Sequence, residues 1–325
     1  MSQELVTPTA PLAKSDLAKE VKDALRYAEA SLAANTLRAY QFWWNDWTAW
    51  CVDRELDPYG PCAQIAVYLG WLAEQDLSVS SIDLSLSAIS RAYRTAGKPR
   101  PRDDENVRLV LAGIHRTLGV AQAQVDPIVS ADLKLMVAAL PEAAGRERLR
   151  VLRNRAILTC GWATGMRISN IAALQFEDLE FVETGIKVTL RRSKTDQEGV
   201  GQVVAVSYGA EDTCPVRCLK AWIDGAGIKS GPVFRTVTPD GMDVFEWAIS
   251  CRQLENVIKD SARNAGLEGR FSGHSLRSGF VTSAVRAGKS IESIRAKTGH
   301  TTVDMLFRYV REHDAFKDDA AAGLI

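Results

Sequence analysis

Between Phe181 and Ser207 the spacing of apolar residues changes character within a chain of 325 residues. Ile186, Val188 and Leu190 alternate with Lys187, Thr189 and Arg191, and Val203, Val204, Ala205 and Val206 follow after Gly199 and Gly201. Alternation of period two puts every second side chain on one face, so this stretch predicts a β-hairpin whose loop carries Lys194. On both sides of it apolar residues recur at intervals of three or four, the period of an amphipathic helix. A chain patterned this way is expected to be mainly α with a small antiparallel β-sheet.

The helical part before the hairpin divides in two. Residues 1–13, with Pro8 and Pro11, read as a flexible arm. Leu17 to Leu32 has helical spacing. Asn35 and Thr36 are residue types that cap helices, and Leu37, Tyr40, Trp44, Trp47 and Cys51 then mark one apolar face, widened by Trp43 and Trp50. These tryptophans read as core rather than as platforms for bases. Further helices are expected over 63–74, over 80–96 behind a capping box at Ser80–Asp83, and over 103–118 before Gly119. Residues 14–119 therefore form a helical domain, 120–129 with Pro127 a linker, and 130–325 a second domain. In that second domain helices are expected over 130–140, 149–163, 218–226, 251–265, 271–288, 291–298 and 302–311. The helix over 149–163 ends at Thr164-Gly165. Ala315, Phe316, Ala320, Ala321, Leu324 and Ile325 could form an apolar stripe on a short tail helix.

The chain has 40 Lys and Arg against 40 Asp and Glu, so a nucleic-acid binder would have to gather its cations locally. Arg91, Arg94, Lys98, Arg100 and Arg102 form one such run without an acid, and residues 263–311 hold nine basic residues against three acids. The six cysteines stand in apolar surroundings and read as reduced, buried thiols of an intracellular protein. Cys214 and Cys218 lack a second pair at metal-binding spacing, so no metal is expected. No apolar run of membrane length, secretory signal or lipidation motif is present, which points to a cytoplasmic protein without a membrane partner.

Several chemistry-bearing residues then fall in order. Arg167 stands two residues after the helix-ending Gly165. Lys194 lies in the hairpin loop. His274 and Arg277 stand three apart in Ser272-Gly-His-Ser-Leu-Arg277, Gly299-His300 forms a small polar turn, and Tyr309 comes nine residues later. Guanidinium forks grip non-bridging phosphate oxygens, and a phenol can attack phosphorus. Such a set suits a phosphodiester.

This ordered set resembles the tyrosine recombinase (phage integrase) family, and most of all its Cre-like members, over about residues 30–315. The resemblance implies a two-domain DNA clamp, with 14–119 as a SAM-like core-binding domain and 130–325 as the catalytic domain and tail helix. It implies a site-specific recombinase in which Arg167 and Arg277 hold the scissile phosphate, His274 and His300 add hydrogen bonds and manage the tyrosine proton, Lys194 is the general acid and Tyr309 the nucleophile. No cofactor is implied, since the phosphotyrosyl ester conserves the bond. The partners implied are double-stranded DNA bearing an inverted-repeat site and a homotetramer on two such sites, with room for an accessory DNA-bending protein and with nucleoid association when bound to DNA. Arg38 and Arg252 match positions where Cre-like proteins carry a basic residue facing DNA, and Arg91 and Arg94 belong to the basic run. Asn170 stands where many relatives have an acid, which leaves it a supporting residue. A type IB topoisomerase and a non-catalytic DNA-binding regulator of the same fold are the competing expectations.

Overall fold

The computed structural model describes residues 20, 22–23, 26–27, 32–119, 124–191 and 201–299. The chain divides into two compact units, Met1–Ala123 and Gln124–Ile325.

In the first unit the described helices are α1 (Ala34–Asp53), α2 (Cys62–Ala73), α3 (Val79–Thr95) and α4 (Glu105–Leu118). The aromatic face of α1 is core, as its spacing predicts. Trp43, Trp44, Trp47 and Trp50 are all buried, Trp47 completely. A buried indole needs an acceptor for its N–H. Trp47 Nε1 donates to the Pro58 carbonyl at 3.0 Å, while its ring packs on Trp50 at 5.5 Å and Tyr68 at 5.0 Å. The helix starts differ from expectation. The cap of α1 is Ala33, whose carbonyl takes the N–H groups of Thr36 and Leu37, and Asn35 lies inside the first turn. Ser78 rather than Ser80 caps α3, its hydroxyl accepting from Ser81 N–H at 3.3 Å. Asp83 instead faces His115 and Arg102. The helix expected from residue 103 starts at Glu105, capped by Asp104, which accepts from Asn106 and Val107. The helix expected over Leu17–Leu32 lies largely outside the described residues.

The second unit contains α5 (Ser130–Ala138), α6 (Arg148–Thr164) and α7 (Ile168–Ala173). An antiparallel sheet follows, ordered β1 (Leu179–Val182), β2 (Gly185–Leu190) and β3 (Gln202–Ser207). The alternation puts Ile186 opposite Val206 and Val188 opposite Val204, all four buried, while Lys187, Thr189, Val203 and Ala205 point outward. That face packs against Ile157 and Cys160 of α6 and against Leu219 and Trp222 of α8 (Pro215–Gly225). A second ribbon, β4 (Arg235–Val237) with β5 (Val244–Ala248), was not expected. Its three-residue first strand and irregular register leave no alternation to read. It is held to α6 by arginines: Arg150 donates to the carbonyls of Thr238 at 3.2 Å and Pro239 at 2.7 Å. Then come α9 (Cys251–Asn264), α10 (Ser275–Arg286) and α11 (Ile291–Thr298). Of the six thiols, Cys251 is exposed and Cys62 half-buried, a correction to the expectation of six buried ones. Cys251 is the first residue of α9, where a side chain faces outward. The hairpin loop over 192–200, the helix expected over 302–311 and the tail lie outside the described residues.

Candidate active site

The site is built where α6 stops. Gly165 adopts a left-handed conformation, φ 60° and ψ 21°, which ends the helix and which glycine takes without a Cβ penalty. A Cβ here would stand 3.0 Å from both the Phe280 ring and the Thr298 methyl. The chain turns through buried Met166 into Arg167, whose extended backbone places it as the cap of α7. The Gly165 carbonyl accepts from Arg277 Nη1 at 2.7 Å. Arg277, on the first turn of α10, is 2% exposed, so this bond orients a guanidinium inside the protein. Arg167 is half-buried. Loss of water around it draws its pKa down.

His274 is the residue just before α10. Its backbone N–H donates to Ser272 Oγ at 3.1 Å, and the Ser275 hydroxyl accepts from Ser272 N–H at 3.0 Å. The Ser-Gly-His-Ser block thus folds on itself and fixes the start of the helix. One side of the imidazole stays open to solvent. Loss of water on the other side, then the charges of Arg277 and Arg167, hold its pKa below the ordinary imidazole value. The two arginines and His274 therefore share one electrostatic neighbourhood. Desolvated next to two cations, the imidazole is neutral at neutral pH and can accept a proton.

The other predicted residues divide. Asn170 lies in the first turn of α7, half-buried, with its backbone N–H on the Arg167 carbonyl at 2.9 Å and its Oδ1 3.4 Å from Ser169 Oγ. Lys194, His300 and Tyr309 lie outside the described residues. Their approaches are visible. Gln202, at the root of the Lys194 loop, donates its side-chain amide to the Ala296 carbonyl of α11. Thr298, two residues before His300, is buried and lies beside Gly165. Of the DNA-facing expectations, Arg252 is exposed on the first turn of α9 in the second unit. Arg38 and Arg94 are exposed and Arg91 half-buried in the first unit. Arg38 donates to Asn35 Oδ1. Arg102, from the same basic run, is held by Ser87 Oγ and the Asp83 carbonyl.

Residue reading passed over the Gly165 carbonyl, because backbone acceptors have no sequence letter. A helix-ending glycine two residues before Arg167 was the available signal. It also passed over Gln202 and the segment 126–130, whose partners are distant in sequence.

The phage integrase family model matches residues 129–315. An integrase/recombinase xerD homolog of Selenomonas ruminantium is 34% identical over 304 residues, covering 91% of this chain and 87% of that protein. Recombinase cre of Escherichia phage P1 is 28% identical, covering 83% and 82%. Among solved structures, the Tn1549 transposon integrase in complex with transposon right end DNA aligns with a TM-score of 0.59 over 92% of this chain and 97% of that one, at 15% identity. A lambda integrase dimer bound to a COC′ core site aligns at 0.57 over 93% and 78%, also at 15% identity. At those identities the structures speak for the fold, while the family model and the closer relatives carry the assignment: the chain belongs to the phage integrase family of tyrosine recombinases.

Proposed function

We propose that this chain is a site-specific recombinase that cuts and rejoins duplex DNA through a 3′-phosphotyrosyl bond on Tyr309 and exchanges strands within a homotetramer. The observation that carries the reading is the buried Arg277 guanidinium held on the Gly165 carbonyl, with His274 close enough for the charges of Arg277 and Arg167 to draw its pKa down. Two guanidinium groups beside one imidazole suit a phosphate whose charge grows on its non-bridging oxygens during attack. The matched family range also takes in Lys194, His300 and Tyr309.

In this reading the Tyr309 phenol oxygen bonds to phosphorus and the bond from phosphorus to the 5′ oxygen breaks. The phenol proton passes to a neutral imidazole, His274 or His300. Lys194 gives a proton to the departing 5′ oxygen. A 5′-hydroxyl from a partner strand then attacks the phosphotyrosine and restores the phenol. One ester replaces another at each step, so no external energy source enters. Asn170 is assigned a supporting role, its side-chain amide able to hydrogen-bond without adding charge. Arg38, Arg91, Arg94 and Arg252 are assigned to the DNA backbone. The tail over 316–325 is assigned to contact between neighbouring subunits.

The test uses the full chain and duplexes tiled across the DNA flanking its gene, with a nick placed to trap cleavage. Wild-type protein is expected to give a covalent protein–DNA band on a duplex it binds, and Tyr309→Phe to bind equally and give none. A band surviving in Tyr309→Phe refutes the assignment of the nucleophile. Binding without any band from wild type favours a DNA-binding regulator, and relaxation of plasmids lacking the bound site favours a topoisomerase.

A further inference from the structure

The residues that carry the chain into the second unit run along α10. Asp126 N–H donates to the Arg270 carbonyl at 2.9 Å, and its carboxylate Oδ2 accepts from Arg270 N–H at 2.7 Å. Ile128 N–H donates to the Ser275 carbonyl at 3.0 Å. The Ile128 carbonyl accepts from Trp162 Nε1 at 2.9 Å. Ser130 N–H donates to Ser283 Oγ at 3.0 Å. Three alternate residues, the last of them the first residue of α5, are thus tied to points before, at the start of and along one helix.

The fit is close. The Ile128 side chain is fully buried in a core with Leu158, Ile258 and Leu276. A Cβ added at Gly279 would lie 1.7 Å from the Ile128 carbonyl oxygen, so only glycine lets the segment lie against α10. Gly279 stands two residues after Arg277, and Ser275 one after His274. The Trp162 ring meets Phe280 edge-on at 5.6 Å, which closes a loop from Ile128 through α6 back to α10.

We infer that residues 126–130 are a strap that sets the position of α10, making Asp126, Ile128 and Trp162 positioning residues for His274 and Arg277. The chemistry makes this consequential. A guanidinium aimed at a phosphate must be placed to a fraction of an ångström, and an error near 1 Å costs on the order of 100-fold in rate. Arg277 is anchored by its bond to Gly165, and the strap holds α10 at Ser275 and Ser283. The function assigned to the strap rests on the recombinase reading above, but its effect on His274 does not.

Two measurements on the full-length protein separate the two. The first needs no DNA. The His274 imidazole is titrated by NMR in wild type, Trp162→Phe, Asp126→Ala and Gly279→Ala, its signal assigned with His274→Gln. Trp162→Phe removes one donor while keeping a ring against Phe280, and so tests the strap if Gly279→Ala fails to fold. In folded variants the midpoint is expected to rise toward about 6.5, because His274 loses its close cations and its partial burial. Structural loosening elsewhere would leave it in place. The second measures single-turnover cleavage on the duplex identified above, where Trp162→Phe and Asp126→Ala are expected to slow cleavage tenfold or more with DNA affinity changed less than twofold. An unchanged midpoint with unchanged cleavage overturns the strap. A wild type that cleaves nothing refutes the recombinase reading, while the titration still decides the strap.

Discussion

Arg277 buries a cation, which costs several kcal/mol unless strong acceptors meet it. Its bond to the Gly165 carbonyl satisfies part of the fork and orients the rest, and Lys cannot reproduce that: one ammonium cannot be held by the carbonyl and bridge a phosphate in a planar fork. Arg277→Lys is therefore expected to slow cleavage by about 100-fold or more in a single-turnover assay with little loss of DNA binding. Near-normal cleavage would place the phosphate elsewhere. His274 adds a pH dependence whose sign follows from its depressed pKa. The unfolded chain takes up the proton more readily, so the group's contribution to stability is present above about 6.5 and lost as pH falls through the lower folded midpoint. In the proposed mechanism protonation also removes His274 as an acceptor for the phenol proton. Cleavage measured from pH 5 to pH 7 is expected to rise and then level; a flat profile would remove His274 from proton transfer.

At the scale of elements, the site depends on how helices end and begin. Gly165 does two jobs: its left-handed backbone ends α6, and the resulting direction of its carbonyl meets α10. Gly165→Ala introduces a Cβ into a conformation unfavourable by about 1–2 kcal/mol, against Phe280 and Thr298. A melting temperature lower by about 2–4 °C per kcal/mol is expected for a unit of this size, together with slower cleavage. Unchanged melting and cleavage would show that the helix end tolerates a side chain. The sheet contributes differently. Paired in register by Ile186–Val206 and Val188–Val204, it fixes where the Lys194 loop leaves and returns, and Gln202 ties that root to α11.

For the whole molecule, the two units have separate cores. One is built on Trp47, Tyr68, Leu69 and Leu86, the other on Ile157, Val188, Leu219 and Trp222. Trp47→Ala empties the centre of the first, a change that costs about 3–5 kcal/mol. Calorimetry is expected to show one transition moved to lower temperature and the other in place. A single transition that shifts as a whole would mean that the units unfold together.

By itself the amino-acid sequence determined what depends on short-range periodicity. The apolar face of α1, the alternation of β2 and β3, and glycine at the end of α6 are local choices of backbone, and each was legible because neighbouring residues make it. The ordered run of Arg167, His274 and Arg277 was legible through its spacing and its resemblance to a family. The capping residues were not, since Ser, Asn and Asp each satisfy the same local rule and the neighbouring packing selects among them; Asp83 went to His115 and Arg102 instead. The β4–β5 ribbon was not, because Arg150 and α6 hold strands too short to announce themselves. The meeting of Arg277 with Gly165, 112 residues apart, and of Ile128 with Ser275 and Gly279 belongs to tertiary structure alone. A backbone carbonyl is the same in every residue, and only the folded chain decides which donor it meets.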